Sequence, residues 1–137
     1  MQKGYLYMNE KIKELRFDTE KAQHYFLKRL AYTLGPIELK KLMEEAKVRI
    51  VDVRKKADYI IHHIPSAISI PKDELADNLM KLSKEEVTVV YCYNQQCHLG
   101  ARSCLILAEY GYPVMLLEGG FKTWMEDFKF AVSGSDE

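Results

Sequence analysis

The sequence predicts an α/β sandwich built on a mainly parallel sheet, and three of its features carry that prediction. Two β-branched runs, Val48-Arg49-Ile50-Val51-Asp52-Val53 and Val87-Thr88-Val89-Val90-Tyr91, read as buried strands. Around them lie stretches whose apolar residues recur at helical spacing. Glycine and proline punctuate the switches, at Gly35-Pro36, Pro71, Gly111 and Gly119-Gly120. Strands that alternate with helices are joined by crossovers, so they run parallel with helices packed on the sheet.

The elements succeed one another along the chain. Met1 to Phe17 is polar and mixed, an arm with a short helical segment through Ile12 and Leu15. Asp18 is placed to cap a helix from Thr19 to Leu30, whose Ala22, Tyr25, Phe26 and Leu30 share one face. This N-terminal helical extension, residues 1–30, is expected to pack on the main domain. Ala31 to Leu34 reads as a short strand. Pro36 suits the first turn of a helix that runs to about Ala46 with Ile37, Leu39, Leu42 and Met43 as its stripe. After the strand at 48–53 come a short helix from Lys56 to Ile61, a break at Ile64-Pro65, and a short strand from Ala67 to Ile70. Asp73 to Lys81 reads as a helix with Leu75, Leu79 and Leu82 inward. Val87 to Tyr91 is the strongest strand and ends at Cys92, followed by the polar loop Tyr93-Asn94-Gln95-Gln96. A largely apolar helix runs from Leu99 to Tyr110 and stops at Gly111. Pro113 to Leu117 is the last strand, Phe121 to Phe128 a final short helix, and residues 133–137 a frayed tail.

With 137 residues the chain suits one compact domain. Twenty basic and twenty acidic residues cancel, so no polyanion-binding surface, and no nucleic-acid partner, is expected. No segment approaches the roughly 18 consecutive apolar residues of a membrane span, and the start lacks a cationic region leading into an apolar stretch. No membrane association is expected, and a cytoplasmic location follows. The three cysteines, Cys92, Cys97 and Cys104, are an odd and tightly clustered set, which is a poor disulfide framework. Their C-x4-C and C-x6-C spacings do not match structural zinc sites, and His62 and His63, being adjacent, point apart. Neither a metal nor another cofactor is expected. A reactive thiol in a reducing compartment is the better reading.

Ligands of open parallel sheets bind at the carboxyl ends of the strands. Cys92 stands at such an end, before a loop and a helix N-terminus. Loop amides and the helix dipole favour thiolate over thiol, so the Cys92 pKa is expected to fall. The same cradle suits an anion such as thiosulfate, a persulfide or a phosphate. Tyr93, Asn94, Gln95 and Gln96 form the loop around it. His98, Arg102 and Arg54 are cationic candidates for holding an anionic donor, and Asp52 is expected to brace the loop by accepting backbone hydrogens. For Arg102 the alternative is a solvated helix residue. Cys104, two helical turns beyond Cys97, reads as core.

These residues bring a family into view. Val48 to Trp124 resembles a rhodanese domain along nearly its whole length. Ile50-Val51-Asp52-Val53-Arg54 looks like the family's strand ending in Asp-x-Arg. Tyr59 followed by His63-Ile64-Pro65-Ser66-Ala67-Ile68-Ser69-Ile70-Pro71 looks like its GHIPGAINIP signature, with His62 in place of the usual glycine. Val89-Val90-Tyr91-Cys92 looks like the strand that delivers the catalytic cysteine, and Gly111-Tyr112, Leu117-Glu118-Gly119-Gly120 and Trp124 look like the closing element. Each motif is weak alone; the ordered set is specific. The resemblance implies a three-layer fold of five parallel strands flanked by helices, residues 31–132 forming the rhodanese-like domain. It implies a sulfurtransferase in which a cysteine thiolate takes sulfane sulfur from a donor, becomes a persulfide, and passes the sulfur to a thiol or protein acceptor. His63 matches the family's structural histidine, and Trp124 reads as core.

The loop departs from the family's CxxGxRS. Read from Cys92 it lacks the glycine and arginine; read from Cys97, Cys97-His98-Leu99-Gly100-Ala101-Arg102-Ser103 fits the letters. Some rhodanese-like proteins are similar in carrying C-x4-C. Strand-end position favours Cys92 as the nucleophile. Cys97 is then a resolving thiol, an alternative nucleophile, or a loop residue without a role. A phosphatase or arsenate reductase would need C-x5-R, but His98 and Ser103 stand at the arginine positions. A non-catalytic or redox-sensing module that binds a protein partner stays open, as does a homodimer through the N-terminal helix.

Overall fold

The computed structural model describes residues 2–46 and 48–135, and side chains from Asn9 onward. Two compact units divide the chain, residues 1–31 and 32–137.

The first unit is a pair of helices, α1 (Gln2–Arg16) and α2 (Thr19–Tyr32). The arm is thus helical over far more of its length than Ile12 and Leu15 alone suggested. Asp18 caps α2 as expected, its Oδ1 accepting the Lys21 amide at 3.1 Å. No residue of α2 is buried, and Tyr25, Phe26 and Leu30 are exposed.

The second unit holds a five-stranded, all-parallel sheet. In chain order it contains β1 (Thr33–Leu34), α3 (Pro36–Glu45), β2 (Arg49–Asp52), α4 (Lys56–Ile61), β3 (Ile68–Ser69), β4 (Thr88–Tyr91), α5 (Leu99–Glu109), β5 (Val114–Leu117) and α6 (Gly120–Lys122), the last continued by a wide turn over Thr123–Asp127. The spatial order is β1-β5-β4-β2-β3. β4 is therefore central, and all four of its residues are buried. Alternation along it builds the layers. Val89 and Tyr91 enter a cluster with Leu34, Leu39, Ile50, Phe121 and Trp124. Val90 and Cys92 enter the opposite cluster, with Val51, Leu75, Leu82 and Leu107. α3 and α6 thus cover one face, α5 the other.

Two expectations are corrected. Residues 73–81 do not form an α-helix but two 3₁₀ turns, Lys72–Asp77 and Leu79–Lys81. Asn78 separates them, its side-chain amide donating to the Glu74 carbonyl at 2.7 Å. That local bond competes with continued helix. Nor is Ser133 frayed: it exchanges two 2.9 Å backbone hydrogen bonds with His63, and the Ser135 amide donates to Ile60. Asp136 and Glu137 lie outside the described residues.

Candidate functional site

The site grows from the carboxyl ends of β2 and β4. Asp52 closes β2 and is fully buried. Its carboxylate accepts the Arg54 amide at 2.9 Å, Arg54 Nε at 3.1 Å, Arg54 Nη2 at 2.8 Å and the Tyr91 hydroxyl at 2.7 Å. Arg54 Nη2 also donates to the His62 carbonyl at 2.7 Å, and its guanidinium lies 4.2 Å from the Phe121 ring centroid. Burial pulls the Arg54 pKa down, but the hydrogen bond and charge of Asp52 outweigh it and the net shift is upward. Tyr91, desolvated and beside the same carboxylate, is held well above an ordinary phenol. Arg54, which the sequence offered as an anion ligand, directs its hydrogen bonds to Asp52 and His62. The backbone N–H that Asp52 accepts is that of Arg54, two residues on, not one of the cysteine loop.

The neighbouring strand end carries the thiols. Cys92 follows β4 and is buried; Cys97 is partly exposed. The intervening loop is held by its own side chains. Asn94 Oδ1 accepts the amides of Gln96 at 3.1 Å and Cys97 at 3.0 Å, the Asx turn that curls the loop back. The Tyr93 hydroxyl donates to Asp58 and accepts the Lys55 amide. Gln95 Oε1 accepts the Gly119 amide. Of the four loop side chains read as ligand contacts, three are therefore committed to holding the loop, and Gln96 is exposed. His98 and Arg102 are exposed, at the N-cap and in the first turn of α5.

The amide cradle exists, but its main beneficiary differs from the expected one. Burial raises the Cys92 thiol, a hydrogen bond with Cys97 adds to this, and the Gly100 amide only partly opposes; the pKa is pushed up to about 11 rather than lowered. Cys97 shifts downward. Its burial alone would raise the pKa, but the Leu99 amide, the hydrogen bond from Cys92, and the amides of Tyr93 and Gly100 outweigh it. Leu99 and Gly100 open α5, where helix N–H groups lack intrahelical partners. The Cys97 carbonyl, 3.4 Å from Cys92 Sγ, is an alternative acceptor for the single S–H of Cys92. Cys104 behaves as the expected core residue, pushed up to about 12 by burial and by the charge of Cys92.

Glycines the sequence did not flag as site residues hold this arrangement. Gly120 has φ 62°, and a Cβ there would stand 2.8 Å from both the Asn94 nitrogen and the Cys92 carbonyl oxygen. Beside it the amides of Phe121 and Lys122 each donate at 2.9 Å to the carbonyls of Cys92 and Tyr93. A Cβ on Gly100 would lie 3.3 Å from Cys92 Sγ and 2.7 Å from Leu116. The signal was present as Gly119-Gly120 and as the glycine of Cys97-x-x-Gly100, but the partners are distant in sequence.

A cleft of about 270 Å³ opens beside the loop, lined by Arg54, Asp58, Ile61, His62, Tyr93, Phe121 and Met125. A larger one of about 400 Å³ lies at the amino ends of β2 and β4, near Arg49, Ser66 and Glu86, away from the thiols. Among the described residues, no three His, Cys, Asp or Glu side chains gather to hold a metal, and no helix is long and apolar enough to cross a membrane.

Comparison with known proteins agrees with the architecture. The profile of the rhodanese-like domain matches residues 35–127. BH2092 protein from Bacillus halodurans superimposes with a TM-score of 0.79 at 30% identity, over 85% of this chain and 86% of that one. A rhodanese-like domain protein from Staphylococcus aureus gives 0.67 at 28% identity, over 76% of this chain and 98% of its own. An HTH-type transcriptional regulator from Mycobacterium tuberculosis, Rv0324, is 37% identical over 87 residues, which are 64% of this chain but 38% of the regulator.

Proposed function

The chain belongs to the rhodanese-like domain family, and on that premise we propose that it is a sulfurtransferase in which Cys97 carries the sulfur. The observation behind this reading is the cradle: a partly exposed thiol, shifted toward thiolate, faced by the amides of Tyr93, Leu99 and Gly100. Sulfur attack needs an ionised, reachable thiol. Buried Cys92, pushed up to about 11, is neither. The letters Cys97-x-x-Gly100-x-Arg102 support the same atom.

The reaction has two halves. The Cys97 thiolate attacks the outer sulfur of thiosulfate; an S–S bond forms to Cys97, the donor's S–S bond breaks, and sulfite leaves with the electron pair. The persulfide anion then sits where the amides point, a form of charge stabilisation that is in place before the reaction starts. A nucleophilic acceptor, cyanide in an assay or a thiol in the cell, attacks the outer sulfur and returns the Cys97 thiolate. Exposed Arg102, one turn into α5, is placed to attract anionic donors.

A second reading has one observation in its favour. The M. tuberculosis relative is named a transcriptional regulator, so a rhodanese-like module that senses sulfur or redox state for a protein partner competes with free-standing catalysis.

The test is thiocyanate production from thiosulfate and saturating cyanide, with intact masses of the Cys92→Ala and Cys97→Ser proteins after thiosulfate alone. Activity is expected in wild type and loss of it in Cys97→Ser. Cys92→Ala should gain one sulfur atom that cyanide removes. Sulfur retained by Cys97→Ser overturns the choice of atom; sulfur on no variant overturns the sulfurtransferase reading and leaves the sensing module.

A further inference from the structure

Cys92 carries no sulfur in the transfer just described, yet its position is not that of a passive core residue. It hydrogen bonds to Cys97, lies under the same loop, and has Gly100 beside its sulfur, where a Cβ would come within 3.3 Å. Its Sγ points at the Cys97 carbonyl from 3.4 Å. The Asn94 turn, held by both its side chain and its carbonyl on the Cys97 amide, keeps the two cysteines folded toward each other. Cys104 packs against the apolar cluster that holds Cys92, two helical turns beyond Cys97.

Resting on the sulfurtransferase reading, we propose that Cys92 is a resolving thiol: when no acceptor arrives, it displaces hydrosulfide from the Cys97 persulfide and leaves a Cys92–Cys97 disulfide. The sulfur of Cys92 attacks Sγ of Cys97, the inner persulfide sulfur. The Cys92–Cys97 S–S bond forms as the persulfide S–S bond breaks. The outer sulfur departs with the electron pair and takes the Cys92 proton. The outer sulfur is reduced to hydrosulfide while the cysteine pair is oxidised, so no outside oxidant enters. A dithiol reductant then restores both thiols by exchange.

The geometry explains why the loop waits. A buried thiol held protonated attacks slowly, so an acceptor at useful concentration takes the sulfur first. Without one, the neighbouring thiol acts at the high effective concentration of an intramolecular group. The protein then has a second activity, release of hydrosulfide, that ends in an inactive disulfide unless dithiol is present. It transfers sulfur only while acceptors are available, and its thiol state records when they are not.

The experiment loads reduced protein with thiosulfate, removes excess donor, and follows free sulfide and intact mass without acceptor. Wild type is expected to release one sulfide per chain and to end two hydrogens lighter than the reduced protein. Dithiothreitol should return the starting mass. Cys92→Ala and Cys92→Ser should keep the added sulfur, with sulfide release at least about tenfold slower. Wild type that holds its persulfide as stably as the Cys92 variants overturns the inference while leaving sulfur transfer intact. Absence of added sulfur on the Cys92 variants, each checked for folding by its thermal melt, instead removes the reading on which it rests. The wild-type mass decides even if both variants misfold, because disulfide formation with sulfide release needs no substitution to be seen.

Discussion

Asp52 and Cys97 stand at adjacent carboxyl ends of the sheet, one closing β2 and the other in the loop after β4. Both are faced by hydrogen-bond donors. At Asp52 the match is complete: Arg54 and Tyr91 supply five hydrogen bonds, one N–H being shared by both oxygens, to a carboxylate with no exposed surface. At Cys97 the donors are three amides and a neighbouring thiol, trained on an atom that solvent can still reach. A buried charge whose acceptor sites are all used is part of the scaffold. A charge-favouring site that remains open is where an outside group can react. The two differ in access and in unmet capacity, not in location.

The contrast is testable, and the largest expected effect is at Asp52. Asp52→Ala leaves Arg54 buried without its partner and should cost ~3–5 kcal/mol of stability, read as a lowered urea midpoint. A loss too small to measure would break the comparison at the scaffold end. Next is the difference between the thiols. Lower pH protonates thiolates, so a thiol with a lowered pKa keeps reacting as pH falls. With Cys97 shifted down and Cys92 up to about 11, iodoacetamide near neutral pH should label Cys97 faster by about a hundredfold or more. Peptide mapping across a pH series reads this, and equal labelling would undo the assignment of roles. Gly120→Ala comes third. The new Cβ meets backbone that cannot step aside, so sulfur transfer should fall about tenfold, ~1.4 kcal/mol of barrier, with a modest drop in the thermal midpoint. The smallest effect is at Ser66, a non-glycine residue at φ 69° where the family signature has glycine. Ser66→Gly removes left-handed strain and should add up to ~1 kcal/mol of stability, part of the relief being offset by the looser unfolded chain.

The fold was legible because its signals are local. β-branched runs, helical stripes and Gly or Pro stops each act within a few residues, and their alternation gave the parallel sheet. The two places where local reading failed were decided at longer range or by a competing side chain. Asn78 turned a leucine-spaced helix into 3₁₀ turns, and pairing with His63 ordered Ser133. The site was half legible. Position after β4 marked the C-x4-C loop as chemical and pointed to Cys92 as the acidified thiol, whereas the amides lower the Cys97 pKa. That choice depends on how Asn94 turns the chain and on residues 119–122, more than twenty positions away. Arg54 misled for a related reason. Asp-x-Arg at a strand end brings the two side chains together in a forked ion pair, a contact the letters do not distinguish from an anion site waiting for a ligand.

The clamp on the cysteine loop comes from Gly119 to Lys122, far along the chain from the loop itself, through the amides of Phe121 and Lys122. Synthesis delivers these residues well after both cysteines, and a domain folds as a unit once its sequence is complete. Until β5 pairs with β4 and the clamp closes, the thiols are those of an unfolded chain, without converging amides and with ordinary acidity. If the proposed transfer holds, full reactivity of the cysteine loop waits on residues that are made more than twenty positions after it.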